Sequence, residues 1–98
     1  MKDILLHINK AFDHKIRLGI MSVLITNEWV DFNELKGILG TTDGNLASHV
    51  KYLEKLQYIC VSKQIINKKS NTKYSISNKG KIAFKKHIDA LEKLINTS

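Results

Sequence analysis

The chain reads as a mainly α domain with one small β-hairpin, in the order α-α-(β)-α-α-β-β-α. Apolar residues recur at helical spacing through most of its 98 residues. Between 58 and 66 that spacing gives way to the β-branched and aromatic run "YICVSKQII", with turn residues and an alternating segment after it. Two of the helices are separated only by the few residues around "GTT" (40–42), which is helix-turn-helix spacing.

Each element has a local reason. Residues 2–12 are expected to form the first helix, with Ile4, Leu5, Ile8, Ala11 and Phe12 on one apolar stripe. Asp13 can cap a second helix running to about Thr26, with Ile16, Ile20, Val23 and Leu24 inward. "WVD" (29–31) is a short extended piece. Asp31 and Glu34 form a D-x-x-E capping pair for a third, short helix with Phe32, Leu35, Ile38 and Leu39 apolar, and Gly40 fits its stop. Thr42 is the cap of a fourth helix from Asp43 to about Leu56. A strand is expected over 58–66, a polar turn at "NKKSNT" (67–72) and the returning strand at "KYSIS" (73–77). Ser77 or Asn78 caps a last helix over 79–96, on which Phe84, Ile88, Leu91 and Ile95 are spaced 4, 3, 4, near the 3.5-residue period of a helix–helix seam. A hairpin directly after the second helix of a helix-turn-helix is a wing. The expected architecture is therefore a winged helix-turn-helix, one domain over residues 1–98.

The net charge of +7 is unevenly placed. Glu54 and Asp89 are consecutive acids, and the gap between them holds nine lysines: Lys55, Lys63, Lys68, Lys69, Lys73, Lys79, Lys81, Lys85 and Lys86. An excess confined to one segment points to a polyanion, nucleic acid before an anionic membrane surface, where a merely solubilising surface needs no such one-sidedness. No apolar run approaches the roughly 18 residues of a membrane span. The N-terminus "MKDILLHINKAF" is too polar and acidic for a signal peptide, so a cytoplasmic location is expected.

Cys60 is the only cysteine, which fits a reducing compartment. Within "YICV" its expected state is buried core, with a redox sensor or an intersubunit bridge as the other readings. His7, His14, His49 and His87 are dispersed and make no nucleophile or metal cluster with Cys60. The chain therefore reads as no enzyme, with no cofactor and no metal. His87, Asp89 and Glu92 do not share one helix face, and the one conceivable metal site is built across a dimer by His7 and His87.

The fourth helix carries the binding hypothesis. Leu46, Val50 and Leu53 project to one side, while Gly44, Ser48, Lys51 and Lys55 project to the other, with Asn45 and Tyr52 on a flank. A helix with such a face fits a major groove, and base contacts come from its N-terminal part. Gly44 lacks a Cβ, so backbone amides near it can reach a phosphate, and Thr42 at the helix start is counted among the candidate DNA contacts. Asn45 can pair with adenine and Ser48 with several bases, while Lys51 and Lys55 suit phosphates. Asp43 either accepts from cytosine or simply stabilises the helix start. His49 and Tyr52 either pack or touch DNA. In the hairpin, Lys68, Lys69, Asn71 and Lys73 are the candidate wing contacts.

The segments "DHKIRLGIMSVL", "VDFNELKGIL", "TTDGNLASHVKYLEKLQYI" and "TKYSISNKGKIAF" resemble the small single-domain winged-helix DNA-binding regulators of bacteria and archaea related to MarR and ArsR, over roughly residues 8–96. The resemblance implies a dimeric transcriptional regulator whose terminal helices make the dimer. The family pattern has glycine after the fourth helix. Here Gln57 precedes Tyr58 and has to make the turn without glycine's freedom. The wing has lysines and no arginine, which favours phosphate contact over minor-groove reading. The apolar stripes Ile4, Leu5, Ile8, Phe12 and Phe84, Ile88, Leu91, Ile95 are the expected dimer interface, since one domain core does not easily cover both. A two-fold dimer implies double-stranded DNA with an inverted-repeat operator. The competing reading is a winged helix used for protein–protein contact, with incidental lysines.

Overall fold

Asp31 and Thr42 begin the two helices at the centre of the molecule, each through its own side chain. In the computed structural model, which describes residues 1–96, the Asp31 carboxylate accepts from the Glu34 amide at 2.8 Å and opens α3 (Phe32–Leu39). The Thr42 hydroxyl accepts from the Asn45 amide at 3.2 Å and opens α4 (Asp43–Lys55). Gly40 ends α3 at φ 62°, a left-handed conformation that suits glycine. Both helices pack on α2 (Lys15–Leu24). The core gathers Ile20, Met21 and Leu24 of α2, Leu35 of α3, and Leu46, Val50 and Leu53 of α4.

Three strands close that core from one side. β1 (Val30–Asp31), β2 (Ile59–Ile66) and β3 (Lys69–Ile76) form an antiparallel sheet in the order β1-β3-β2, with β2 outermost. Val30, Tyr74 and Val61 lie in one cross-strand row on the inward face, and Asp31, Lys73 and Ser62 in a row on the other. α4 ends in a Schellman pair, the Tyr58 amide bonding Leu53 O at 3.1 Å and the Gln57 amide bonding Glu54 O at 2.9 Å. Gln57 sits at φ 62°, as the missing glycine implied.

α5 (Asn78–Asn96) starts on Ser77, whose hydroxyl accepts from the Gly80 amide at 2.9 Å and donates to Gln57 O at 2.7 Å. A Cβ on Gly80 would collide with the Tyr58 carbonyl, so only glycine lets α5 approach the end of α4 this closely. The inward stripe of α5 is Gly80, Phe84, His87 and Ala90. It is rotated from the expected 84-88-91-95 seam because His87, not Ile88, follows Phe84 inward.

Four expectations are corrected. The first helix is not continuous over 2–12: α1 is Lys2–Leu5 and a 3-10 turn covers Lys10–Phe12. Asn9 breaks it. Its Oδ1 accepts from the Ala11 amide at 2.9 Å, its backbone N–H donates to His87 Nδ1 at 3.0 Å, and its Nδ2 donates to the Tyr58 hydroxyl at 3.1 Å. This swings Phe12 into the core against Tyr58, Phe84 and His87. The cap of α2 is His14 rather than Asp13, its Nδ1 accepting from the Ile16 amide at 3.1 Å. The hairpin turn is two residues, Asn67 and Lys68, at φ 52° and 65°, not six; both left-handed values match the twist of the flanking strands, so β3 starts at Lys69. Cys60 is exposed, because strand alternation turns it outward between inward Ile59 and Val61.

Candidate nucleic-acid interface

The fixed side of α4 defines its free side. Leu46 and Leu53 are 0% exposed, and Val50 lies beside them. Gly44, Asn45, Ser48, Lys51 and Lys55 are all exposed on the remaining surface. Nothing lies near the Gly44 Cα where a Cβ would stand, so backbone there is open to a ligand. Asp43 forms an ion pair with Lys36 of α3 at 2.8 Å, and its carboxylate stands in the first turn of the helix. Both contacts act on the helix start.

His49 and Tyr52 occupy the flank, and sequence reading missed what holds them. Arg17 of α2 reaches both: its Nη1 lies 3.1 Å from His49 Nδ1, and its guanidinium carbon lies 4.3 Å from the Tyr52 ring centroid. Burial, then electrostatic opposition from the neighbouring His14 and Arg17, holds the His49 pKa below the ordinary histidine value. The one available signal was that Arg17 is the chain's only arginine.

The wing divides into two parts. From Lys63 to Ser70 every residue is exposed, and Lys63, Lys68 and Lys69 surround the turn. Lys68 is in the turn itself and Lys69 opens β3 opposite Ile66. Asn71 is half-buried opposite Gln64, with its Oδ1 buried and unpaired. Lys73 is not beside the turn. It lies in the body of the sheet between Asp31 and Ser62, half-buried, where its charge helps lower the Asp31 pKa behind the larger effect of the Glu34 amide. A neighbouring carboxylate thus offsets Lys73, and the free charge of the wing belongs to Lys63, Lys68 and Lys69.

Of the expected dimer residues, Phe12 and Phe84 are corrected. They are 2% and 4% exposed within the single chain, so they fill its own core and offer no surface. Ile4, Ile8 and Leu91 are half-buried. Leu5, Ile88 and Ile95 are exposed, as are Leu6 and Ile82, which the spacing did not mark. α1 packs on α5, leaving this apolar surface on the terminal elements. His87 is buried and its Nδ1 is occupied by the Asn9 amide, which removes it from any site shared with His7. Among the described residues no group of His, Cys, Asp or Glu is arranged to hold a metal, and no helix is long and apolar enough to cross a membrane.

A capped helix with an open polar face, followed by a lysine-bearing hairpin, is the arrangement of a DNA reader, and the model of the winged helix DNA-binding domain family matches residues 16–95. The chain belongs to that family. It is 39% identical over 79 residues to an uncharacterized protein of Methanocaldococcus jannaschii, covering 81% of this chain and 86% of that one. Among solved structures it is similar to a transcriptional regulator homologue of Pyrococcus horikoshii, with TM-score 0.85, 27% identity, and coverage of 97% of this chain and 92% of that one. It shares the fold of reduced HlyU from Vibrio cholerae, with TM-score 0.66, 22% identity, and coverage of 86% and 81%. The resemblance to winged-helix regulators is borne out: the matching family is a DNA-binding one, and the Pyrococcus horikoshii structure is that of a transcriptional regulator homologue.

Proposed function

We propose that this winged-helix protein is a homodimeric transcriptional regulator that binds double-stranded DNA at an inverted-repeat operator. α4 enters the major groove, with Asn45 and Ser48 at base edges and Thr42, Gly44, Lys51 and Lys55 at the backbone. Lys68 and Lys69 carry the wing onto flanking phosphates. The observation that supports this reading best is the exposed face of α4, held outward by three buried side chains on its other side. The exposed Leu5, Ile88 and Ile95 support dimerisation through the terminal elements, which would set two copies of α4 about one DNA turn apart, ~34 Å.

The test is selection of preferred duplexes from a random-sequence pool by the purified protein, followed by salt titration on the winner. An inverted repeat bound far more weakly at high salt is the expected result. Salt-insensitive binding to a protein partner, with no duplex enriched, would support the protein–protein reading instead. Sedimentation at micromolar concentration checks the dimer, and a monomer that stays monomeric on DNA would overturn it.

A further inference from the structure

Three parts of the chain meet on one half-buried side chain. Arg17 Nε donates to the Ala11 carbonyl in the 3-10 turn at 2.6 Å, Nη1 donates to His49 Nδ1 at 3.1 Å, and the guanidinium carbon lies over the Tyr52 ring, 4.3 Å from its centroid. Ala11 belongs to the segment that Asn9 ties to His87 and Tyr58. His49 and Tyr52 lie three residues apart on α4, on the flank between its buried and open faces. A lysine ammonium is a point charge, whereas the planar fork of arginine stacks and donates in fixed directions at once.

We propose that Arg17 is the positioning residue of the DNA-reading helix: it fixes the rotation of α4 against the N-terminal segment, and it lets go when His49 takes up a proton. The inference rests on α4 being the base reader. Burial of Leu46, Val50 and Leu53 sets which side of α4 faces out, and the directional bond to His49 with the contact on Tyr52 fixes the remaining angle about the helix axis. That angle decides whether Asn45 and Ser48 reach base edges.

The release follows from donor chemistry. Guanidinium only donates, so His49 Nδ1 has to carry a lone pair and its ring proton sits on Nε2. The His14 ring stands 4.1 Å from the His49 ring. Beside His49 the cleft is lined by His14, Lys15, Thr41, Thr42 and Asn45, with no carboxylate. On α4 itself, Asp43 is engaged by Lys36. A second proton on His49 would therefore face Arg17 across the former hydrogen bond with no anion to compensate. Burial, with His14 and the Arg17 guanidinium alongside, already favours the neutral ring.

Protonated histidine attracts any DNA, so the informative quantity is the ratio of random-duplex Kd to operator Kd, measured with the whole chain at about pH 7.5 and about pH 5.5. R17K should lower the ratio at the higher pH about tenfold through weaker operator binding, with random-duplex affinity changed less than about twofold. Y52F should keep the wild-type ratio, since the stack needs the ring and not the hydroxyl, and Y52L should lower it. Acidification should lower the ratio of the wild type. H49N, whose amide oxygen accepts at both pH values, should hold its ratio steady. Thermal melts at both pH values confirm folding, and if R17K does not fold, Y52L and H49N decide the matter. Equal weakening of both duplexes by R17K would make Arg17 a phosphate contact. An unchanged ratio in R17K or Y52L, or a wild-type pH response in H49N, would overturn the proposal. Failure of the wild type to prefer any duplex at the higher pH is a different result: it removes the base-reading role of α4, and this inference with it.

Discussion

α4 and the wing both turn polar, basic residues to solvent, yet they are held in opposite ways. α4 has side chains in the core along its length, a side-chain cap at its start, a Schellman pair at its end, an ion pair to α3 and the Arg17 fork on its flank. The outer wing has a two-stranded ladder and a turn of two left-handed residues, with every residue from Lys63 to Ser70 exposed. Reading a base edge demands a donor or acceptor placed to a few tenths of an ångström, and a helix anchored on several sides supplies that. Neutralising a phosphate demands only a charge nearby, and a compliant hairpin with lysines supplies it at lower ordering cost.

The largest test of this contrast is truncation. Leu53→Ala should destabilise the fold by about 2–5 kcal/mol, while Ile65→Ala, at a side chain 81% exposed, should change it by no more than about 0.5 kcal/mol, both by urea unfolding. Similar losses would mean that the wing packs on something in solution. Next come the contacts. Asn45→Ala and Ser48→Ala should each cost about 1–3 kcal/mol of discrimination between operator and random duplex. Replacing Lys68 and Lys69 with alanine should weaken both duplexes alike and make the slope of log K against log salt shallower by about 0.9 per lost phosphate contact, counted over both subunits. A selective loss on operator would show that the wing reads sequence or shape.

A smaller effect concerns pH and the N-terminal segment. Burial holds the His87 pKa below its ordinary value, with Asp13 opposing. The unfolded chain therefore binds a proton before the native one does, so stability is full above about pH 6.5 and falls as pH drops below it. His87→Gln should flatten that part of the stability profile in thermal melts across the range. Smallest of all, Gln57→Gly should gain up to about 1 kcal/mol, because glycine relieves the left-handed backbone but starts from a more disordered unfolded chain. A loss there would show that the Gln57 side chain does more than occupy the turn.

α4 was legible because everything that defines it is local: Thr42 three residues before the amide it caps, and Leu46, Val50 and Leu53 at one helical spacing. The D-x-x-E start of α3 and its glycine stop were readable for the same reason. What escaped depends on distant partners. Asn9 breaks the first helix by bonding His87, 78 positions away. Lys73 stands among wing lysines in sequence, but strand register sets it beside Asp31. Cys60 belongs to a continuous apolar run in the sequence, whereas a hairpin covered on one face buries only alternate residues. Spacing alone groups Phe84 with Ile88, but the approach of Gly80 to Tyr58 fixes the rotation of α5 and sends Phe84 into the core instead. Arg17 has no motif: its role exists only where α2, the 3-10 turn and α4 meet.

The outermost position of β2 has a cost in solution behaviour. Among the described residues no strand pairs with its outer edge, beside which Ile65 and Ile66 are exposed, and such an edge is the kind that recruits a copy of itself. Lys63, Lys68 and Lys69 are exposed around that edge, and like charges on two wings would oppose their pairing. Under the proposed function the same lysines would have two roles that exclude each other in time: meeting phosphates on DNA, and opposing self-association off it. Salt strong enough to strip the protein from DNA also screens that guard, so the free protein is most prone to clump under the conditions that release it.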